Sequence, residues 1–335
     1  MLFRSLNALP WLMKAVKSSG EETALRTSIA MHELHKGTLV AYEELTRGTD
    51  GAALIEHCGQ LYVSKQPNAA QGSPLAQRMR ELAGVKCQLL DRMEIRELEP
   101  TLAPVFESGM LLPDNGRCKN PHALVRAIAA DAERNGATIL RGRVEGFQNN
   151  ATRVTAVIVD GVARPVERIV LAAGAASGKL SGQLGTPLPV EAERGYHVTL
   201  EDPGVMPRIP VSNVDAKFVC SPMNMGLRVA GTAEFAGYDA EPNWERAEIL
   251  KRQVATMFPG VRTEKFTRWM GRRPSLPDGL PVLGIAPRFA NAVFAFGNSH
   301  FGMSAGPVMG KVACELVTGA KPHIDISAFS PARFG

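Results

Sequence analysis

The sequence predicts an α/β fold of the α+β kind, in which a layer of helices and parallel strands interleaves with an antiparallel sheet. Three observations lead there. Helical and strand-like stretches alternate over residues 120–186 and again after residue 271, and the segment between is rich in strands with one helix. Of 335 residues, 45% are apolar, enough to bury a substantial core.

Along the chain, Leu2, Leu6, Leu9, Leu12, Met13 and Val16 recur at helical spacing, broken by Pro10. An amphipathic helix packed on the body is expected, with a peripheral membrane contact through Phe3, Leu6 and Trp11 as the alternative. Residues 21–45 read as one long helix, from the recurrence of Ala24, Leu25, Ile29, Leu34 and Leu39. A strand over 55–64, a helix over 74–83 and a strand over 109–112 follow. Pro121 opens a helix whose apolar stripe, Leu124, Val125, Ile128, Ala129 and Ala132, ends at Asn135-Gly136. Strands are expected over 137–140, 144–147, 154–159 and 167–173. The segment 187–270 predicts antiparallel strands over 190–200, 217–220 and 226–230 with a helix over 244–257. The order over 120–174 implies a nucleotide-binding type of layer.

Composition excludes several functional classes. Net charge is +5, with both signs mixed and no continuous basic run, which leaves nucleic-acid binding without support. The five cysteines are widely spaced and never form C-x-x-C, as expected for reduced thiols in a cytoplasmic protein. Cysteine and histidine show no zinc-like spacing, so no metal is expected. No run approaches the ~20 apolar residues of a membrane span.

Two segments carry most of the chemistry. Residues 271–284 read GRRPSLPDGLPVLG and place two guanidinium groups beside a run of prolines and glycines. Residues 296–307 read FGNSHFGMSAGP, a strand end, a glycine turn and the start of an apolar helix, which is a seat for partial negative charge. With Leu171-Ala172-Ala173-Gly174-Ala175 and Arg194-Gly195-Tyr196, their order and spacing resemble the flavin-dependent D-amino acid oxidase and dehydrogenase superfamily, closest to its bacterial D-amino acid dehydrogenase branch.

The resemblance implies a partial FAD-binding Rossmann-like layer interleaved with an antiparallel-sheet substrate domain. Residues 1–113 would hold N-terminal helices and the first part of the substrate domain. Residues 114–186 and 271–335 would form the FAD-binding layer, and 187–270 the substrate sheet. It implies FAD as cofactor and oxidation of D-amino acids or related amines by hydride transfer to flavin N5. The other participants would be a small-molecule amine substrate and an electron acceptor, a quinone or oxygen. The location would be cytoplasmic, with the inner membrane surface as an option.

Family members begin with a βαβ unit bearing G-x-G-x-x-G, and that motif is absent from this sequence. Residues 174–179 also fail as a phosphate loop, because the interval is one residue short and Leu180 replaces Ser or Thr. Two expectations follow: a self-sufficient flavoenzyme, or a truncated or accessory chain that needs a partner subunit supplying the unit.

By resemblance, Arg273 pairs with the substrate carboxylate, for which a bidentate guanidinium suits the planar group, while a structural ion pair is the alternative. Arg272 points the other way by strand alternation. Gly297 opens the turn toward Gly302, Met303 and Ser304, whose backbone amides would face the flavin ring. His300 lines the ring or the substrate pocket, or is a structural histidine. Val144 would contact the adenine side, and Ala172, Ala173 and Gly174 would approach the cofactor closely. Tyr196 would cover or hydrogen-bond the substrate, with Arg194 nearby; a buried tyrosine with a satisfied hydroxyl is the alternative.

Overall fold

The computed structural model describes residues 9–334, so Leu2, Phe3 and Leu6 lie outside the described part. One sheet of eight strands dominates, in the spatial order Phe266–Ser275, Glu191–Leu200, Gly226–Phe235, Phe218–Met223, Val211–Asn213, Gln60–Ser64, Ser108–Leu112 and Gln88–Leu90. Neighbours are antiparallel except Val211–Asn213 against Gln60–Ser64. Segments far apart in sequence thus share one sheet.

Alternation divides the two faces of that sheet. Leu61, Val63, Val198, Leu200, Leu227 and Val229 point to one face, where Leu250, Val254 and Met257 of the helix Glu245–Met257 cover them. Each such buried side chain contributes about 1.5–3 kcal/mol. On the opposite face, Glu193 stands across from Arg273, Gly195 from Gly271, and His197 from Trp269. The domain boundary expected after Met270 falls inside the strand Phe266–Ser275, which pairs with Glu191–Leu200 along its whole length. Arg272 and Arg273 therefore belong to the antiparallel sheet.

A second layer is a sheet of three strands, Val282–Ile285, Ala292–Phe296 and Ile169–Leu171. Ile169–Leu171 lies parallel to Ala292–Phe296 and forms an end of the sheet. Helix Gly302–Thr318 packs Ala305, Val308, Met309 and Val312 against Leu34, Leu283 and Phe329. A meander of Val144–Asn149, Val154–Val159 and Val162–Pro165 stands beside it.

Three local expectations are corrected. The helix over 21–45 is two helices, Glu21–His35 and Thr38–Thr46. The Thr38 hydroxyl donates to the His35 carbonyl at 2.7 Å and also to the Ser304 carbonyl, so the second helix turns toward residue 304. The strand over 55–64 is split into Ile55–His57 and Gln60–Ser64, because the N–H groups of Cys58 and Gly59 both donate to the Asn115 carbonyl. Residues 137–140 form no strand, and Ile139 and Leu140 are exposed. Trp11 is engaged in packing: its ring lies 5.2 Å from that of Phe235 and its indole N–H donates to the Ser275 carbonyl. No described helix is long and apolar enough to cross a membrane.

Candidate active site

The strand Glu191–Leu200 sets the site by its period of two. Gly195 faces Arg273, and the guanidinium lies over it so closely that a Cβ on Gly195 would stand 2.0 Å from Arg273 Nη2. Two residues earlier on the same face, Glu193 is buried. Its Oε1 accepts from Arg273 Nη1 at 3.3 Å and from His300 Nε2 at 2.7 Å, and its Oε2 accepts from the Ser275 hydroxyl at 2.8 Å. Ser275 and Ser299 share a further hydroxyl contact of 3.0 Å. The turn before helix Gly302–Thr318 is thereby tied to the sheet floor.

Electrostatics follow from this packing. Burial raises the Glu193 carboxyl, but the hydrogen bond and charge of His300, the Ser275 hydroxyl and Arg273 outweigh it, so its pKa lies below the ordinary carboxylate value. Burial lowers the pKa of Arg273, and Glu193 opposes that shift. The guanidinium stays charged in any case. On the same face, burial and then the nearby Arg228 push His197 down to about 4, and its ring stacks on Trp269 at 5.0 Å.

Arg194 and Tyr196 face the other way, and the active-site position expected for Tyr196 is corrected. The Tyr196 hydroxyl donates to Glu234 at 2.6 Å and accepts from the backbone N–H of Asn243 at 2.9 Å, with the side chain buried. The Arg194 guanidinium is fully buried and donates to the carbonyls of Gly237, Tyr238, Ala240 and Glu241. Both residues pin the segment 237–243. The useful member of the triplet at the site is Gly195. Arg272 likewise points away, donating to the Tyr238 carbonyl at 2.6 Å and lying over its ring. Asp278 is scaffold, held by Arg333 at 2.7 Å.

Two cavities flank the strand. One of about 610 Å³ is lined by Arg273 and His300 together with Tyr62, Arg80, Lys217 and Thr232. The other, of about 1130 Å³, is lined by Val144, Ala173, Gly178, Lys179 and Tyr238 among others. Arg273 and His300 thus meet in one cavity, and Val144 and Ala173 in the other. Ala172 and Gly174 flank Ala173 at the end of the strand Ile169–Leu171. Gly297 turns the chain at φ +91, in a space where a Cβ would stand 2.5 Å from Leu276 Cδ1. Gly302, Met303 and Ser304 form the first turn of helix Gly302–Thr318, whose leading N–H groups have no partner within the helix. Tyr42 anchors this turn by donating to the Met303 carbonyl at 2.7 Å.

The residues present fit a flavin dinucleotide. The larger cavity exceeds the ~300–1,000 Å³ of ordinary small-molecule sites. Beside its wall the buried Ser177 hydroxyl has no hydrogen-bond partner, and next to Gly297 the buried Oδ1 of Asn298 has none. Glu193, Ser275 and Ser299 were missed by sequence reasoning. Period two puts Glu193 on the Gly195 face, but the convergence of Arg273, Ser275 and His300 on it is set by pairing distant in sequence.

The family model for FAD dependent oxidoreductases matches residues 9–316, and the chain belongs to that family. It is 36% identical over 332 residues to a D-amino-acid oxidase of Bradyrhizobium diazoefficiens, covering 98% of this chain and 79% of that protein. It is 30% identical over 348 residues to a D-amino acid dehydrogenase of Rhizobium rhizogenes, covering 98% and 80%. Among solved structures, glycine oxidase of Geobacillus kaustophilus superposes with a TM-score of 0.78 at 22% identity, over 94% of this chain and 84% of that one. The protein is an FAD-dependent oxidoreductase of the D-amino acid oxidase type.

Proposed function

We infer that the protein oxidises D-amino acids or related amines to imines, which water converts to 2-oxo acids and ammonia. The observation that carries this reading is Arg273, seated across Gly195 with only one nitrogen bonded to Glu193, in a cavity of about 610 Å³. Its remaining N–H groups suit a planar carboxylate. The names of the two curated relatives support the D-amino acid class. Bound FAD supplies a hydride acceptor at ring N5. Val144, Ala173 and Gly174 would hold the dinucleotide, and the first turn of helix Gly302–Thr318 would offer N–H donors to the ring, where negative charge develops. The chain's own contribution is to fix the α-carbon by its carboxylate. Electrons would then leave to a quinone or to oxygen.

The test is anaerobic mixing of the FAD-loaded protein with D-alanine, D-proline and their L-enantiomers while the visible flavin band is recorded. Bleaching by D-amino acids alone supports the reading; bleaching by none sinks it.

A second reading has its own support. The strand Ile169–Leu171 ends its sheet with one edge free among the described residues, and Val170 is exposed there. An unpaired apolar edge of this kind invites a further strand. The accessory reading is that a partner subunit brings the G-x-G-x-x-G unit to that edge. An FAD titration of the purified chain separates the two, because a chain that retains no flavin by itself cannot be self-sufficient.

A further inference from the structure

The sharing of one carboxylate oxygen by Arg273 and His300 goes beyond substrate anchoring. We propose that His300, oriented by Glu193, removes a proton from the substrate ammonium group before oxidation. The inference rests on the reading above that Arg273 holds the substrate carboxylate.

A free amino acid carries an ammonium group at neutral pH, and that nitrogen has no lone pair to support departure of hydride from the α-carbon. A base beside the carboxylate anchor removes this obstacle. His300 has the required position. Its Nε2 lies 2.7 Å from Glu193 Oε1, and its side chain is half-exposed in the cavity that Arg273 also lines. With Nε2–H donating to the carboxylate, the free lone pair is on Nδ1. Arg273 and His300 touch the same oxygen, at 3.3 Å and 2.7 Å, so one amino acid can place its carboxylate on the first and its nitrogen near the second. A base held by a carboxylate that is itself fixed by further donors follows the general logic of oriented bases. Here Ser275 supplies that further hold on Glu193.

The proton balance closes without a redox partner. One N–H bond of the ammonium breaks, one Nδ1–H bond forms, and the positive charge moves from the substrate to the imidazole beside Glu193. His300 is open enough to return the proton to water. The other charged groups facing it are Arg273 on the sheet floor and Arg80 and Lys217 across the cavity. From the helix Glu21–His35, His35 adds no charge near neutral pH, because burial and then His32 lower its pKa to about 4. Glu193 is therefore a positioning residue and His300 the base.

The experiment follows the pH dependence of kcat/KM for a D-amino acid in the FAD-loaded protein, beside binding of benzoate as a carboxylate probe by calorimetry. His300→Asn is expected to lose about 100-fold near neutral pH, and to recover at least ~10-fold of that loss once the substrate is itself deprotonated. Glu193→Gln should lower kcat/KM about 10-fold near neutral pH, because the imidazole loses the carboxylate that orients it, and should likewise regain activity once the substrate is itself deprotonated. His300→Asn should keep its benzoate affinity. A His300→Asn defect of equal size at every pH, or an unchanged kcat/KM in Glu193→Gln, overturns the proposal. Benzoate binding untouched by Arg273→Met overturns instead the carboxylate reading beneath it.

Discussion

The guanidinium of Arg273 occupies the space that any side chain at residue 195 would need: a Cβ there would lie within 2.4 Å of three of its atoms. Gly195 does not take a left-handed backbone, so alanine is tolerable to the main chain itself. The three atoms nearest that Cβ all belong to the arginine.

Gly195→Ala should therefore displace Arg273 while leaving the sheet paired. We expect KM for a D-amino acid to rise ~10- to 100-fold, with the far-ultraviolet dichroism of the native protein retained. An unchanged KM would mean that the guanidinium does not work from this position.

Tyr196→Phe tests the opposite face. It leaves the Asn243 N–H and a Glu234 oxygen without the tyrosine oxygen, at a cost of about 1–3 kcal/mol. Urea unfolding should record that loss. KM should stay within twofold of wild type, and a large rise in KM would return Tyr196 to the substrate.

Acid should loosen the protein in two steps. His35 and His197 have folded pKa values near 4, against 6.5 for the free side chain. Below 6.5 the unfolded chain gains protons that the folded chain refuses, so stability falls as pH drops from 6.5 toward 4. Glu193 has a depressed folded pKa, so its contribution is full above its ordinary value of 4.5 and is lost as pH falls through the lower folded value. Urea midpoints measured from pH 7.5 to 4 should decline in wild type. They should decline less in His35→Gln/His197→Gln, and an identical slope in that variant would refute the assignment.

Two glycines with positive φ should respond differently to alanine. Gly297→Ala meets both the backbone penalty at φ +91 and Leu276 at 2.5 Å, and should cost several kcal/mol, on the order of the 1–3 kcal/mol of overpacking added to the strain. Gly174, at φ +57, has open space around its Cβ and should lose only about 1–2 kcal/mol in the same substitution. Thermal melts of the two variants give the order directly.

Period and punctuation carried the architecture well. The helix Pro121–Arg134 follows its apolar stripe, with the Asn120 side chain accepting from the Ala123 N–H at the start. Arg273 was legible because its neighbours are distinctive, and the period-two rule placed Arg272 away from it. The same rule held the information on Tyr196, but which face of Glu191–Leu200 looks at Arg273 depends on pairing with Phe266–Ser275, about seventy residues later in the chain. Residues 137–140 were misread because a short apolar run does not disclose whether a strand awaits it. Glu193 was hidden in a different way: buried carboxylates are rare, and its need for three donors emerges only once Arg273, Ser275 and His300 converge in space.

The strand Glu191–Leu200 works like the spine of a book with a cavity on either page. Glu193 and Gly195 serve one side, while the intervening Arg194 and Tyr196 fasten the loop whose Gly237, Tyr238 and Asp239 wall the other. Inserting or deleting one residue here would turn every leaf at once, pushing Arg194 toward Arg273 and Glu193 into the loop's anchor point.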